Sequence, residues 1–266
     1  MLKISDLSVD IGKRTLIKNI SAEAEAGHLI AIIGENGAGK STLLNSLAGE
    51  IKYNGDVHFE PLNAKKVNIK NASLEWLAQH RAVMTQKHQI PFAFGLVDIV
   101  AMGRFHKVEP KSWQLSKVAE YLSYVELDTH LDRNTSQLSG GELQRLQFAR
   151  CLSQLDALEG QSTKKLMLLD EPTSALDVRH QHRLLKLVKK FTSAGNTAIV
   201  VLHDLNLVST YADQVWLLDQ QTLQHTGTPE SVLTEERLTK AYKTSMRVIQ
   251  HPDSLTPIIF SEFTEH

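Results

Sequence analysis

The chain has 266 residues and a formal net charge of −1, a length that accommodates one or two folding units with a sizeable buried core. Its lysine pairs at 65–66, 164–165 and 189–190 are scattered rather than gathered on one basic face, which argues against nucleic acid as a partner. The longest apolar runs, such as Ala198-Ile199-Val200-Val201-Leu202, are about a quarter of the ~20 residues that cross a bilayer; the N-terminus acquires an acid at Asp6 and lacks an apolar signal core, so a cytoplasmic chain without a membrane span is expected.

From the N-terminus, Leu2 to Val9 and Thr15 to Ile20 are β-prone and are joined by the polar turn Gly12-Lys13-Arg14, which predicts an antiparallel edge hairpin. The apolar run Leu29 to Ile33 leads into Gly34-Glu35-Asn36-Gly37-Ala38-Gly39-Lys40-Ser41-Thr42 and a helix from about Lys40 to Ala48. Gly55 to Phe59 reads as a strand, Ser73 to Gln79 as a short helix, and Arg81 to Gln86 as a strand-like run. Between about 87 and 154 the texture changes. Leu96 to Ala101, Leu115 to Tyr124 and Leu143 to Leu152 carry apolar residues at helical spacing with few strand signals, which predicts a helical insertion. The lone Cys151 lies inside that pattern and reads as a small core hydrophobe rather than a reactive thiol. Strand-helix alternation then returns, with Leu166 to Leu169, a helix presenting Leu184, Leu187, Val188 and Phe191 on one face, Thr197 to Leu202, and Val215 to Leu218. Strands separated by helices predict a mainly parallel sheet covered on both faces.

The stretch Gly34 to Thr42 fits G-x-x-x-x-G-K-[ST] through Gly34, Gly39, Lys40 and Ser41, at the strand-to-helix transition the pattern requires. Small residues at Gly34, Asn36, Gly37, Ala38 and Gly39 let backbone N–H groups converge on phosphate oxygens, and the helix N-terminus adds partial positive charge. Lys40 reaches the β- and γ-phosphates, and Ser41, followed by Thr42, offers a hydroxyl to Mg²⁺. A nucleoside triphosphate with Mg²⁺ is the expected ligand. A second piece, Leu166-Met167-Leu168-Leu169-Asp170-Glu171, delivers Asp170 to a strand tip. There a carboxylate serves the Mg²⁺ shell while Glu171 polarises an attacking water; alone, two acids after a strand equally mark a turn. The third piece, Leu138-Ser139-Gly140-Gly141-Glu142, opens an amphipathic helix with Ser139 as its cap. It is either simply a capped helix or a second anion site.

Taken in order, the phosphate loop, Gln86, Leu138 to Glu142, Leu168 to Pro172, Ser174-Ala175-Leu176-Asp177 and His203 resemble the ATP-binding-cassette (ABC) family over nearly the whole chain. The resemblance implies a single domain of α/β class over 1–266. It has a P-loop NTPase core (about 1–86 and 165–245), an antiparallel N-terminal β subdomain, an inserted helical subdomain (about 87–155) and a C-terminal tail (about 246–266). It further implies an ATPase working as a homodimer, in which Ser139, Gly140, Gly141 and Asp177 of one copy complete the site that holds ATP on Lys40 of the other. Glu171 is then the general base, His203 contacts the γ-phosphate, and Ser41, Gln86 and Asp170 serve the metal. Within the family, Pro91 to Arg104, His180-Gln181-His182 after Asp177, Leu202 to Leu207, Tyr211-Ala212-Asp213 and Gly227-Thr228-Pro229 are similar to importer ATPases for metal chelates, especially haem. Ferric-siderophore and cobalamin importers share much of this pattern, and a soluble cassette acting on nucleic acid or ribosomes is the alternative of another class. The implied partners are a polytopic permease dimer at the cytoplasmic face of the inner membrane, met near Pro91 to Arg104, and indirectly a periplasmic binding protein.

Three departures carry expectations of their own. Glu35 stands where the family usually has proline and is tolerable only if its side chain points away from the phosphates. Val9 or Ile11 occupies the place of the aromatic that commonly stacks on adenine. The polar piece Asp156 to Lys165 reads as an inserted surface loop away from the chemistry. His106, His180 and His182 are read as solvated surface residues rather than haem ligands.

Overall fold

The computed structural model describes residues 1–61, 66–86, 92–158, 164–254 and 256–262. In chain order the strands and helices are β1 (Leu2–Ile11), β2 (Arg14–Ala24), β3 (Leu29–Ile33), α1 (Lys40–Leu47), β4 (Asn54–Phe59), β5 (Val67–Asn68), α2 (Leu74–His80) and β6 (Arg81–Met84). Then come α3 (Leu96–Met102), α4 (Lys111–Tyr124), α5 (Gly140–Leu155), β7 (Leu166–Asp170), α6 (Val178–Ser193), β8 (Thr197–Val201), α7 (Leu205–Tyr211) and β9 (Gln214–Asp219). The chain closes with β10 (Thr222–Gly227), α8 (Pro229–Val232), α9 (Glu235–Tyr242), β11 (Met246–Gln250) and β12 (Pro257–Ser261).

The central sheet has the order β10-β9-β3-β8-β7-β6 and is parallel from β9 to β6, with β10 antiparallel at one edge. Strands β3, β7 and β8 are buried along their whole length, as continuous apolar runs in a sheet covered on both faces must be. Successive side chains point to opposite faces, so each strand feeds two cores. Leu29, Ala31, Ile33, Met167, Leu169, Ala198 and Val200 pack under the helical side with α3 to α7. Ile30, Ile32, Leu166, Leu168, Ile199 and Val201 pack on the other side against α1 and the N-terminal sheet.

That second sheet has the order β2-β1-β4-β5 and is antiparallel throughout. The predicted edge hairpin is therefore half right: β2 is an edge, whereas β1 pairs on both sides, because β4 returns alongside it. The apolar periodicity of 96–152 folds as α3, α4 and α5 packed on one another, with Cys151 fully buried on α5. Burial pushes its thiol pKa up, and the S–H donates to the Val83 carbonyl at 3.4 Å.

The segment 156–165 departs from a plain surface loop at both described ends. Ala157, Leu158 and Lys165 are buried, and Asp156, in a left-handed conformation at the end of α5, anchors an ion network; 159–163 lie outside the described residues. Arg104, 1% exposed, donates to Glu109 at 2.6 and 2.7 Å, to Asp156 at 3.0 Å and to the Ser153 carbonyl. Lys107 and Tyr121 add bonds to Asp156. Burial alone raises the Asp156 pKa, but bonds from Tyr121, Arg104 and Lys107 outweigh it and hold the carboxyl at about 2. The network joins the loop after α3 to the end of α5, where the polar spacing of the sequence offered only charged residues.

Arg104→Ala strips Glu109 of its guanidinium partner and leaves Asp156 with Lys107 and Tyr121 alone, so it should cost about 3–5 kcal/mol of unfolding free energy in urea titration. Because the Asp156 value lies below its ordinary 3.8, the network stabilises fully above about pH 4. The difference between wild type and Asp156→Asn should shrink as pH falls toward 2.

Candidate functional site

The loop between β3 and α1 is built on glycines that no other residue replaces without cost. Gly34 has φ +142°, and a Cβ there would lie 2.1 Å from the Leu218 carbonyl oxygen of β9; Gly39 has φ +102°, and its Cβ would meet Ile17 at 2.5 Å. The loop therefore has no room outside it at Gly34 and Gly39, and its interior is left to Lys40. That side chain is 5% exposed and donates to the carbonyls of Gly34 at 2.7 Å and Glu35 at 2.9 Å. Burial lowers its pKa, while Glu171 and Asp170 pull it back up.

Beside Lys40 stand two neighbours from the tip of β7. Asp170, 2% exposed, accepts a bond from Ser41 Oγ at 3.2 Å. Burial raises its pKa, the Ser41 bond opposes this, and the Glu171 charge raises it further. Glu171 has φ +49°, a left-handed conformation costly for a residue with a side chain and typical of functional turns. Its carbonyl is held by Gln144 Nε2 at 2.8 Å and Ser174 Oγ at 3.1 Å, and its carboxylate meets His203 Nε2 at 2.6 Å. His203 leaves the end of β8, where Asp204 caps α7 through the N–H groups of Asn206 and Leu207.

These groups face a cavity of about 330 Å³ lined by Asn36, Gly37, Gly39, Lys40, Ser41, Thr42, Gln86 and Glu171, together with Arg14, Leu16 and Gln221. Gly34 and Asp170 stand behind this lining, tied to it through Lys40 and Ser41, and Ala38 is buried against the core. Arg14, Leu16 and Gln221 were not legible in sequence: Arg14 reads only as part of a turn. They arrive because β2 lies against the β9–β10 turn, with Lys18 N donating to the Gln221 carbonyl. Val9 is buried in the β-sheet core and Ile11 is exposed, and neither lines this cavity.

Ser139, Gly140, Gly141 and Asp177 do not line the cavity. Ser139 caps α5 in a reciprocal pair with Glu142, and the first turn of the helix is exposed. Gly141 has no room for a side chain, since a Cβ would meet the Ala175 carbonyl at 2.8 Å. Gln144, one turn on, binds Glu171, Ser174 and Ala175 together, so this helix and the Glu171 turn move as one piece. Asp177 caps α6 through His180 N, and its carboxyl is held low by bonds from the backbone and ring of His180.

Glu35 does turn outward, to Lys243 Nζ at 2.5 Å. His180 and His182 are engaged through their ring nitrogens, with Asp177 and with the Tyr211 hydroxyl at 2.7 Å; His106 is half-buried, and burial with Lys107 lowers its pKa. All three are more embedded than solvated residues would be. Pro91, the start of the expected permease-facing stretch, lies outside the described residues.

Among the described residues no group of three or more His, Cys, Asp or Glu side chains forms a metal cage. A magnesium ion bound with phosphates needs only one or two protein oxygens, and the Ser41 hydroxyl beside the buried Asp170 carboxylate, with the Gln86 amide on the same wall, is an all-oxygen set that fits it. No helix among the described residues is long and apolar enough to cross a membrane.

The ABC transporter family profile matches residues 17–174. The hemin import ATP-binding protein HmuV of Idiomarina loihiensis is 44% identical over 263 residues, 98% of this chain and 99% of that one. The protein of the same name from Pseudoalteromonas translucida is 36% identical over 262 residues, 97% and 98% of the two chains. Among solved structures, a metal-chelate type ABC transporter in an inward-facing conformation aligns with a TM-score of 0.78 at 27% identity, over 98% of this chain and 97% of that one. A dimeric ATP-binding cassette solved in a post-hydrolysis state with ADP and Pi shares the fold, with a TM-score of 0.73 at 22% identity over 86% and 99%.

Gly34→Ala forces a side chain into the Leu218 carbonyl and should lower unfolding free energy by about 3 kcal/mol. Gly37→Ala, with no atom within 4 Å of the added Cβ, should cost only about 1 kcal/mol for its positive φ. Urea titration of the two variants side by side checks the contrast.

Proposed function

The chain belongs to the ABC transporter family, and from that premise we propose that it is the ATP-hydrolysing subunit of an importer that brings haem through a membrane permease. The observation that carries the ATPase reading is one cavity lined by Lys40, Ser41, Gln86 and Glu171, with Asp170 bonded to Ser41 and His203 to Glu171 behind that lining. The haem cargo is supported by relatives named hemin import ATP-binding proteins, which match over nearly full length.

The phosphates of ATP enter the loop through the N–H groups of residues 36 to 42, and Lys40 exchanges its two backbone carbonyls for phosphate oxygens. Magnesium, held by Ser41, Asp170 and Gln86, supplies charge neutralisation for the β- and γ-phosphates when bound. Glu171 takes the proton of the attacking water. In the present geometry its carboxylate is occupied by His203 at 2.6 Å, so His203 must turn toward the γ-phosphate before Glu171 can act. That exchange makes hydrolysis conditional on a correctly seated triphosphate.

Ser139, Gly140 and Gly141 serve the other copy of the chain. The exposed N-terminus of the 16-residue α5 presents N–H groups and a positive dipole end to an anion, and its own cavity does not use them. In a head-to-tail homodimer each such end covers the γ-phosphate held by the partner's loop, with Asp177 at the seam. Gln144 then transmits closure to the Glu171 turn. The permease docks on the helical subdomain at the cytoplasmic face of the membrane, where Phe92, Phe105 and Val108 are exposed apolar residues; a periplasmic binding protein supplies the cargo from the other side.

Glu171→Gln should keep ATP binding and trap the dimer in size-exclusion chromatography while lowering phosphate release by about 10²–10⁴-fold. With the permease in proteoliposomes it should abolish ATP-driven haem uptake; undiminished uptake removes Glu171 from its role. Arg14 takes the place of a base-stacking aromatic, its planar cation against adenine. Arg14→Ala should therefore raise the KM for ATP by about 5–30-fold, the weight of a cation–π contact of ~1–2 kcal/mol, with kcat nearly unchanged.

A further inference from the structure

A carboxylate inside a polyphosphate-binding loop is a like charge beside its own ligand, yet Glu35 sits one residue into that loop. Its position is set by α9, which lies 208 residues away in sequence. Glu35 Oε2 is 2.5 Å from Lys243 Nζ, and the neighbouring Gly34 N–H donates to the Tyr242 hydroxyl at 3.1 Å. Two consecutive residues at the end of α9 thus hold two consecutive residues of the phosphate loop from outside, while Lys40 holds the carbonyls of the same two residues from inside.

The outer grip is anchored. Leu238 and Ala241 of α9 are buried, Thr234 caps the helix, and Arg237 donates to the Ser231 carbonyl. Glu235 accepts from Val248 N of β11, and Thr239 from Met246 N. Strand β12 is bound in turn to α7, where Asn206 both donates to and accepts from the Ile259 backbone and Ser209 donates to the Pro257 carbonyl. The C-terminal segment is therefore a brace running from the helix that follows His203 to the phosphate loop.

We infer that Lys243 and Tyr242 are positioning residues for the nucleotide. Lys243 cancels the Glu35 charge beside the phosphates, and Tyr242 fixes the Gly34 amide, so the end of α9 sets the affinity of the loop for triphosphate. Paired, Glu35 and Lys243 present a dipole whose field falls off faster than that of a lone carboxylate. Unpaired, Glu35 repels every negative charge that enters. The inference rests on the reading of the loop as an ATP site.

The test measures MgATP displacement of a fluorescent nucleotide from the full chain, at ionic strengths of about 0.05 and 0.5 M. Lys243→Gln should weaken binding by about 3–10-fold at the lower salt and by less than about 2-fold at the higher. Lys243→Arg should bind as wild type. The double variant Glu35→Gln/Lys243→Gln should recover wild-type affinity, because no uncancelled charge remains on the loop, and kcat should stay within about 2-fold throughout. The Glu35–Lys243 pair is exposed enough that thermal unfolding should not shift. Wild-type affinity in Lys243→Gln overturns the inference, as does a defect that persists in the double variant, which would mark a purely structural contact. Lys40→Ala separates the two levels: loss of binding there with no change in Lys243→Gln sinks the inference alone, and unchanged binding in Lys40→Ala sinks the ATP reading and the inference with it.

Discussion

The interaction on which the rest of the molecule depends is the burial of the Lys40 ammonium inside its own loop. A buried cation is costly unless it is surrounded by oxygen, and here the oxygens are backbone carbonyls at 2.7 and 2.9 Å. That arrangement demands a loop that curls tightly around one side chain, and hence a backbone at Gly34 pressed on β9 with no space for a Cβ. It also sets the chemistry. A cation satisfied by two neutral carbonyls exchanges them readily for charged phosphate oxygens, so the loop's shape suits its ligand.

The parallel sheet carries that loop to the other reacting groups. Strands β3, β7 and β8 lie side by side in matched register, so their C-terminal ends deliver Gly34, Asp170 and His203 to one rim. The same sheet divides two cores, and each core reports to the rim differently. On the helical side, α5 reaches the Glu171 turn through Gln144, and the Arg104 network fixes the loop after α3 to the end of α5. On the other side, β2 contributes Arg14 and Leu16 to the cavity. A change in the helical subdomain is therefore coupled to the Glu171 turn, whereas a change in the N-terminal sheet is coupled to the opposite flank of the cavity.

The elements with strong periodicity were legible in advance: the buried runs of β3, β7 and β8, the helices of the insertion and the strand-to-helix phosphate loop. Their patterns come from local rules, period 2 or 3.6 and backbone φ at glycine, which short windows carry. The misread places share a different cause. The 156–165 segment is polar in composition, but Asp156 pairs with Arg104 and Lys107 and Lys165 is buried, and composition cannot distinguish a solvated charge from a paired one. β10 to β12 lack strong alternation because they lie at edges and on the surface, with few positions fully buried.

By itself, the sequence determined the ligand class and the family, because a phosphate loop and the ordered motifs behind it are local signatures whose chemistry follows from residue type and spacing. Only the tertiary structure decided which distant residues share the rim. Arg14 joins the cavity through the packing of β2 on the β9–β10 turn, and His203 meets Glu171 because β8 lies beside β7. Lys243 neutralises Glu35 because α9 folds back on the loop. Those contacts join residues up to 208 positions apart, and their energies depend on distance and burial, quantities that exist only once the chain has closed on itself.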